Sequence, residues 1–233
     1  MTTGFVYIVE SPSAADLLDG RTEGRVLSEA LRLADTPHTY SVAANVAQFE
    51  VALGQRLVNA WQQHKQWPIL HLSMHGNSDG VAFTSGEFLT WAQLREKLLP
   101  LIRVMPNALL ICMSSCFGFS GCRIAMHHDG EPHFWALVGH PGDVNWTDAA
   151  VAYVTFYHRF FKGASVPDSV DAMRFASGDT RFLFAAGDET KRDWLVQLAK
   201  LQTPSLSDLL RSVAGVSAPV ASSFAPHPSE PHG

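Results

Sequence analysis

Pro68-Ile69-Leu70-His71-Leu72-Ser73-Met74 closing in His75-Gly76, and Ala108-Leu109-Leu110-Ile111-Cys112-Met113-Ser114 closing in Ser115-Cys116-Phe117-Gly118, decide the reading of this chain. Each is a hydrophobic run stopped abruptly by small polar residues and glycine, the pattern of a buried strand that ends in a turn. In a parallel sheet the carboxyl ends of neighbouring strands converge, and ligands bind in the crevice outside them. An imidazole and a thiol, one at each such end, can therefore face each other across a cleft. That pairing is the minimum equipment of a cysteine nucleophile with a histidine partner. The spacing, 116 − 75 = 41 residues, has room for a hairpin, a helix and a strand, which is the content of a right-handed crossover between neighbouring strands.

The rest of the chain supports an alternating α/β pattern. Residues 4–10 read as a central strand, 11–24 as a polar loop with a short helical turn over 14–18, and 25–34 as a helix. Thr39 to Ala43 reads as a second strand. Asn45 is a cap for a helix whose apolar face runs through Val46, Phe49, Leu53, Leu57, Val58 and Trp61. Between the two key strands, residues 81–83 and 87–89 flank Thr84-Ser85-Gly86 as a hairpin, and Thr90 caps a helix over 91–101. Residues 134–139 form a fifth strand, followed by a helix over 143–162 ended by Gly163. Another helix opens at Ser165 and runs to Phe175. A last strand over 181–185 and a last helix over 188–201 complete the pattern. Strands alternating with helices imply a mostly parallel sheet of about six strands, covered on both faces. From Thr203 the chain turns rich in proline, serine and alanine, so 1–202 is read as the folded domain and 203–233 as a disordered tail, with one further turn over 206–213.

Composition narrows the classes of function. The 233 residues are 46% hydrophobic and 17% charged, with a formal charge of −5, ordinary for one packed domain. An acidic balance without a basic run gives no attraction to phosphate backbones or anionic membranes, so neither nucleic acid nor membrane is an expected partner. The amino terminus reads as a strand and not as a signal segment, and no stretch reaches the ~18 apolar residues of a membrane span. Three cysteines in such a chain imply reduced thiols and a cytoplasmic location.

The thiolate is the reactive form of cysteine, so a working Cys needs a lowered pKa or a nearby base. Cys116 lies just past the fourth strand in a flexible frame, and His75 closes the third. Gly76 lets a substrate carbonyl approach the backbone, and its N–H, with that of Cys116, is a candidate oxyanion donor. Cys112, inside a strand, and Cys122 read as structural thiols. His71, four residues before His75, reads as packed against a helix. A zinc site built from the cysteines with His127, His128, His133 and His140 is the chemical rival, but the spacings match no zinc pattern. No metal or other cofactor is expected. Gly118-Phe119-Ser120-Gly121 lacks the second glycine of a hydrolase elbow. For the side chain of the substrate residue before the scissile bond (P1), Arg21 and Arg25 are candidates to face an acidic group. Asp143, with Asp148, is a candidate to face a basic one, though solvated surface charge is the plainer reading of all four.

His75-Gly76 and Ser115-Cys116, each closing a strand in this order, resemble the caspase-like (clan CD) cysteine peptidases, especially their bacterial CHAT-like branch. The hairpin after the histidine and the phrase Gly163-Ala164-Ser165-Val166-Pro167-Asp168 extend the resemblance over residues 4–176. It implies a three-layer caspase-like fold and a Cys116/His75 dyad with no strict need of a third residue. Cys116 would attack a peptide carbonyl, His75 would protonate the leaving amine, and Gly76 and Cys116 would form the oxyanion hole. It also implies a regulated effector protease acting on a protein substrate and switched by a partner protein or by self-association, with residues 127–132 as a candidate activation loop. Ser114-Ser115-Cys116-Phe117-Gly118 departs from the caspase frame, which removes the ground for aspartate specificity. The alternative is a catalytically silent interaction module on the same fold.

Overall fold

The computed structural model describes residues 4–202 except Asp129. By its contacts the chain divides into two compact units, 1–195 and 196–233. Of the second, residues 196–202 are described, as helix; the segment 203–233 and its turn over 206–213 lie outside the described residues.

The first unit is built on β1 (Gly4–Ser11), β2 (His38–Val42), β3 (Trp67–Asn77), β4 (Gly80–Ala82), β5 (Phe88–Thr90), β6 (Leu110–Ser114), β7 (Ala136–Gly139) and β8 (Leu183–Ala186). The main sheet has the order β2-β1-β3-β6-β7-β8. Its strands run parallel except β8, which is antiparallel to β7. β4 and β5 form the expected hairpin, attached antiparallel to the carboxyl end of β3. The central strands are buried on both faces, which is why they read as unbroken apolar runs.

Alternation along the strands divides the core in two. Phe5, Tyr7 and Val9 of β1, Leu70, Leu72 and Met74 of β3, and Ile111 and Met113 of β6 face one layer. That layer is closed by α3 (Val46–Val51), α4 (Leu57–His64) and α5 (Trp91–Val104). Val6, Ile8, Ile69, Leu110, Cys112 and Val138 face the other, covered by α2 (Glu23–Leu33), α6 (Trp146–Phe161) and α7 (Val166–Ser177). A short α1 (Ala14–Leu18) follows β1, and α8 (Gly187–Gln202) follows β8. The mixed, three-layer α/β architecture is the one the strand pattern led to expect. No described helix is long and apolar enough to cross a membrane.

The caps fall where the sequence puts them. Asn45, Thr90 and Ser165 each accept a hydrogen bond from the third residue of their helix, and Thr90 with Gln93 closes a full capping box. One expectation is corrected. The stripe from Val46 to Trp61 is not one helix: it breaks in a wide turn over Ala52–Arg56, where Gly54 has φ −94 and ψ −108. The bend lets Phe49 and Ala52 before it and Leu57 and Ala60 after it all enter the core.

Candidate active site

The two key strands pair in a register that fixes the site. β3 and β6 match Leu70 with Ile111, His71 with Cys112, Leu72 with Met113 and Ser73 with Ser114, a constant offset of 111 − 70 = 41. This equals the spacing of His75 and Cys116. Both residues therefore lie two residues past the Ser73–Ser114 pair, His75 still within β3 and Cys116 in the turn that follows β6. Side chains alternate with period two, so His75 continues the face of His71, and Cys116, beyond the end of β6, opens beside it at the start of α6. They line one small cleft of about 50 Å³ together with Ser114 and Ser115 from the end of β6, and Val144, Trp146 and Ala149 around the start of α6.

His75 is positioned by two neighbours. The Trp146 ring meets it edge-on, with centroids 5.2 Å apart, and its Nε2 lies 2.6 Å from Oδ2 of Asp16. Asp16 sits in α1 on the loop after β1, and Ser13, the cap of that helix, donates its hydroxyl to the same oxygen at 2.6 Å while accepting from the Asp16 N–H. Burial works against the ionised carboxyl, but the Ser13 and His75 hydrogen bonds outweigh it and hold its pKa below the ordinary value. An ionised Asp16 can only accept, so Nε2 carries the proton and Nδ1 is left as the basic nitrogen of the ring. The resemblance required no third residue; the structure supplies a carboxylate. Its signal in the sequence is Ser13-x-x-Asp16 directly after the first strand, a capping pattern that sets a carboxyl at the sheet's carboxyl edge.

Cys116 is held in a tight turn. Phe117 adopts φ 55, a left-handed conformation that a non-glycine residue takes only when its surroundings enforce it. The Phe117 N–H donates to Gly142 O at 2.9 Å and the Phe119 N–H to His140 O at 3.0 Å, tying the cysteine turn to the loop after β7. Neither bond uses the Cys116 N–H. Gly118 and Gly139 make the close approach possible: a Cβ on Gly118 would stand 2.5 Å from Met113 O, and one on Gly139 2.6 Å from Phe119 N. Beneath the turn the buried Tyr153 hydroxyl is shared between Met113 O at 2.9 Å and Val138 O at 3.3 Å, pinning the ends of β6 and β7. The receiving loop is itself fixed. The buried His140 places Nε2 3.2 Å from Asp179, whose carboxyl Arg181 holds down at a pKa of about 2.

The thiol of Cys116 donates to Val144 O at 3.7 Å, so in this state it points at the loop after β7. Gly76 packs against the same turn: a Cβ there would lie 2.6 Å from Cys116 O and 3.3 Å from Ser115 Cβ. Its φ is not positive. Glycine is demanded here by space alone, a reason the sequence did not reveal.

The other residues singled out from the sequence fall as follows. Cys112 is fully buried, and burial pushes its thiol up to about 12. Cys122 is half-buried in the turn after the cysteine, and burial also raises its pKa. His71 is buried, with Nδ1 3.1 Å from the Tyr157 hydroxyl and Nε2 3.5 Å from Glu23. Among the described residues no three His, Cys, Asp or Glu side chains converge as a metal cage. Arg21, Arg25 and Asp143 are all exposed and none lines the cleft. Arg21 reaches it indirectly, by pairing with Asp19 and approaching Asp16 Oδ1 at 3.7 Å. Arg25 stands on the outside of α2 near Glu29, and Asp143 faces Arg181, while its neighbours Val144 and Trp146 form the wall. In the segment 127–132, where Asp129 is not described, Glu131 is bound through its carboxylate by Arg95 and through its carbonyl by Lys191.

No protein-family model matches the chain, and no protein of curated function matches it. Among solved structures it is similar to gingipain R, an Arg-specific cysteine proteinase, at 13% identity with a TM-score of 0.46; the match covers 76% of this chain and 44% of that one.

Proposed function

We propose that the protein is a cysteine endopeptidase of the caspase-like, CHAT-like kind, with Cys116 as nucleophile, His75 as its acid and base, and Asp16 orienting the imidazole. The observation that carries this is the shared cleft: sulfur and imidazole open onto it from the carboxyl ends of adjacent parallel strands, with a carboxylate behind the ring. His75 Nδ1 takes the thiol proton and the sulfur adds to the peptide carbonyl. The C–N bond breaks as the same proton passes to the leaving amine. Water then attacks the thioester, returning a proton through His75 and releasing the acid and the free cysteine. The N–H groups of Gly76 and Cys116 hold the oxyanion, a contribution of ~3 kcal/mol per donor.

The thiol's bond to Val144 O ties the sulfur to the loop after β7. A regulated bacterial effector fits this behaviour: a partner protein, or a second copy, that displaces residues 140–145 frees the sulfur. The deciding experiment exposes a cell lysate to the wild type and to Cys116→Ala and reads newly formed protein amino termini by mass spectrometry. Termini present with the wild type and missing with the variant are the expected result. Identical sets, from a protein whose Cys116 still reacts with iodoacetamide, would leave the silent interaction module as the reading.

A further inference from the structure

We infer that the cleft beside Cys116 is a subsite for a small, uncharged P1 side chain bearing a hydroxyl, threonine or serine, with Ser114 as the specificity-determining residue. This rests on the endopeptidase reading and goes beyond it by naming the substrate class. Three observations converge on it. The first is size. A water-sized atom needs roughly 10–15 Å³ of cavity space, so about 50 Å³ holds about three to five non-hydrogen atoms. Threonine offers three beyond its Cα; arginine, with seven, does not fit.

The second is charge. Apart from the dyad itself, no ionisable side chain lines the cleft, and its walls are Met74, Val144, Trp146 and Ala149. An aspartate, lysine or arginine placed there would lose its hydration without gaining a counter-charge. The exposed Arg21, Arg25 and Asp143 lie outside it.

The third is an unmet hydrogen-bonding need. Ser114 and Ser115 are 1% and 2% exposed, both line the cleft, and neither hydroxyl has a partner among the described residues. Ser73, the register partner of Ser114, is buried with its hydroxyl equally unpartnered. Buried hydroxyls are normally satisfied, and those of Ser114 and Ser115 belong to residues that line the cleft, where a bound group can supply the missing partner. A P1 hydroxyl reaching past Cys116 meets Ser114, two residues before it at the end of β6.

The test is a panel of peptidyl acyloxymethyl ketones that differ only at P1: threonine, valine, alanine, leucine, aspartate and arginine. Adducts at Cys116 are followed by intact mass, with iodoacetamide as the control for a reactive thiol. The threonyl ketone is expected to label at least tenfold faster than the arginyl or aspartyl one. It should also outpace its isostere, the valyl ketone, about fivefold, the worth of one neutral hydrogen bond. In Ser114→Ala the threonyl-to-valyl ratio should fall to near one, and the ratio in the unaltered protein tests the hydroxyl even where that variant fails to fold. Fastest labelling by the arginyl or aspartyl ketone overturns the subsite while leaving the nucleophile intact. Equal threonyl and valyl rates in the unaltered protein overturn the role of Ser114. Alkylation by iodoacetamide with no ketone adduct removes the endopeptidase reading, and this inference with it.

Discussion

Replacing Gly76 by alanine adds a single carbon to the strand that carries His75, and the geometry says where it goes. The new Cβ would lie 2.6 Å from the Cys116 carbonyl oxygen, 3.2 Å from Gly80 O and 3.3 Å from Ser115 Cβ. Carbon and carbonyl oxygen ordinarily approach no closer than about 3.3 Å, so roughly 0.7 Å of separation must be found. β3 is locked between β1 and β6, whereas Cys116 hangs in a turn held by the bonds of Phe117 and Phe119 to the loop after β7. The turn therefore yields, and the sulfur moves relative to the imidazole. A misplacement of about 1 Å at a reacting centre costs as much as ~10²-fold in rate, so a loss of about ten- to a hundredfold is expected. Overpacking adds a stability cost of about 1–3 kcal/mol. Both are measurable on one sample: capture of Cys116 by a peptidyl ketone for the rate, urea unfolding for the stability. A Gly76→Ala protein with wild-type capture rate and unfolding midpoint would refute the claim that this glycine is the spacer between the strand of His75 and the turn of Cys116.

Three further outcomes follow from the same geometry. Asp16→Asn should lower turnover by about tenfold or more, less than the ~10²–10⁴-fold that a positioned acid–base group itself contributes, because Asp16 orients the imidazole. Because the folded carboxyl is held below its ordinary pKa, its stabilisation is present above that value and fades as the pH falls below about 4; wild type and variant should therefore converge in acid-titrated urea midpoints. Cys112→Ser should destabilise the protein by about 1–3 kcal/mol, since it buries a hydroxyl in the sheet, whereas Cys116→Ala leaves the unfolding curve in place; equal losses in both would undo the separation of structural from reactive thiol. Asp179→Asn should loosen the loop that anchors the cysteine turn. With the carboxyl held at about 2 against an ordinary 3.8, its contribution is complete above pH 4 and is lost through the interval down to pH 2, so the variant should show a shallower acid-unfolding profile there by circular dichroism.

The sheet was legible because its central strands are buried on both sides: residues 68–74 and 108–114 carry an apolar signal no turn or exposed helix imitates. The placement of His75 and Cys116 was legible for a related reason, since a polar residue that follows such a run is placed by the run itself. The register turns the spacing of 41 into lateral adjacency, a relation that no single strand announces. Asp16 escaped because it stands in a polar loop among Asp19, Arg21 and Glu23, and what distinguishes it is a tertiary contact 59 residues away. The P1 candidates show the same limit from the other side. Charge is visible in sequence, but whether a side chain at a loop points inward is set by the loop's fold, and here Val144 and Trp146 turn in while Asp143 turns out. The Gly54 break was hidden because the apolar stripe runs on across it unchanged, and only the need to reach one core from two directions bends the helix.

β3 changes partners where its histidine sits: Ser73 is the last residue laddered to β6, and from His75 to Asn77 the strand pairs with β4. The hairpin in turn grips the chain beyond β1, where Thr84 donates its hydroxyl to Pro12 O at 2.6 Å and its N–H to Ser11 at 3.0 Å, a few residues before Asp16. Imidazole and carboxylate thus share one mechanical mount, while the sulfur hangs from another, the β6–β7 side. A push on the outer edge of the hairpin would therefore reach His75 and Asp16 together, through β4 on one side and Thr84 on the other, without entering the cleft.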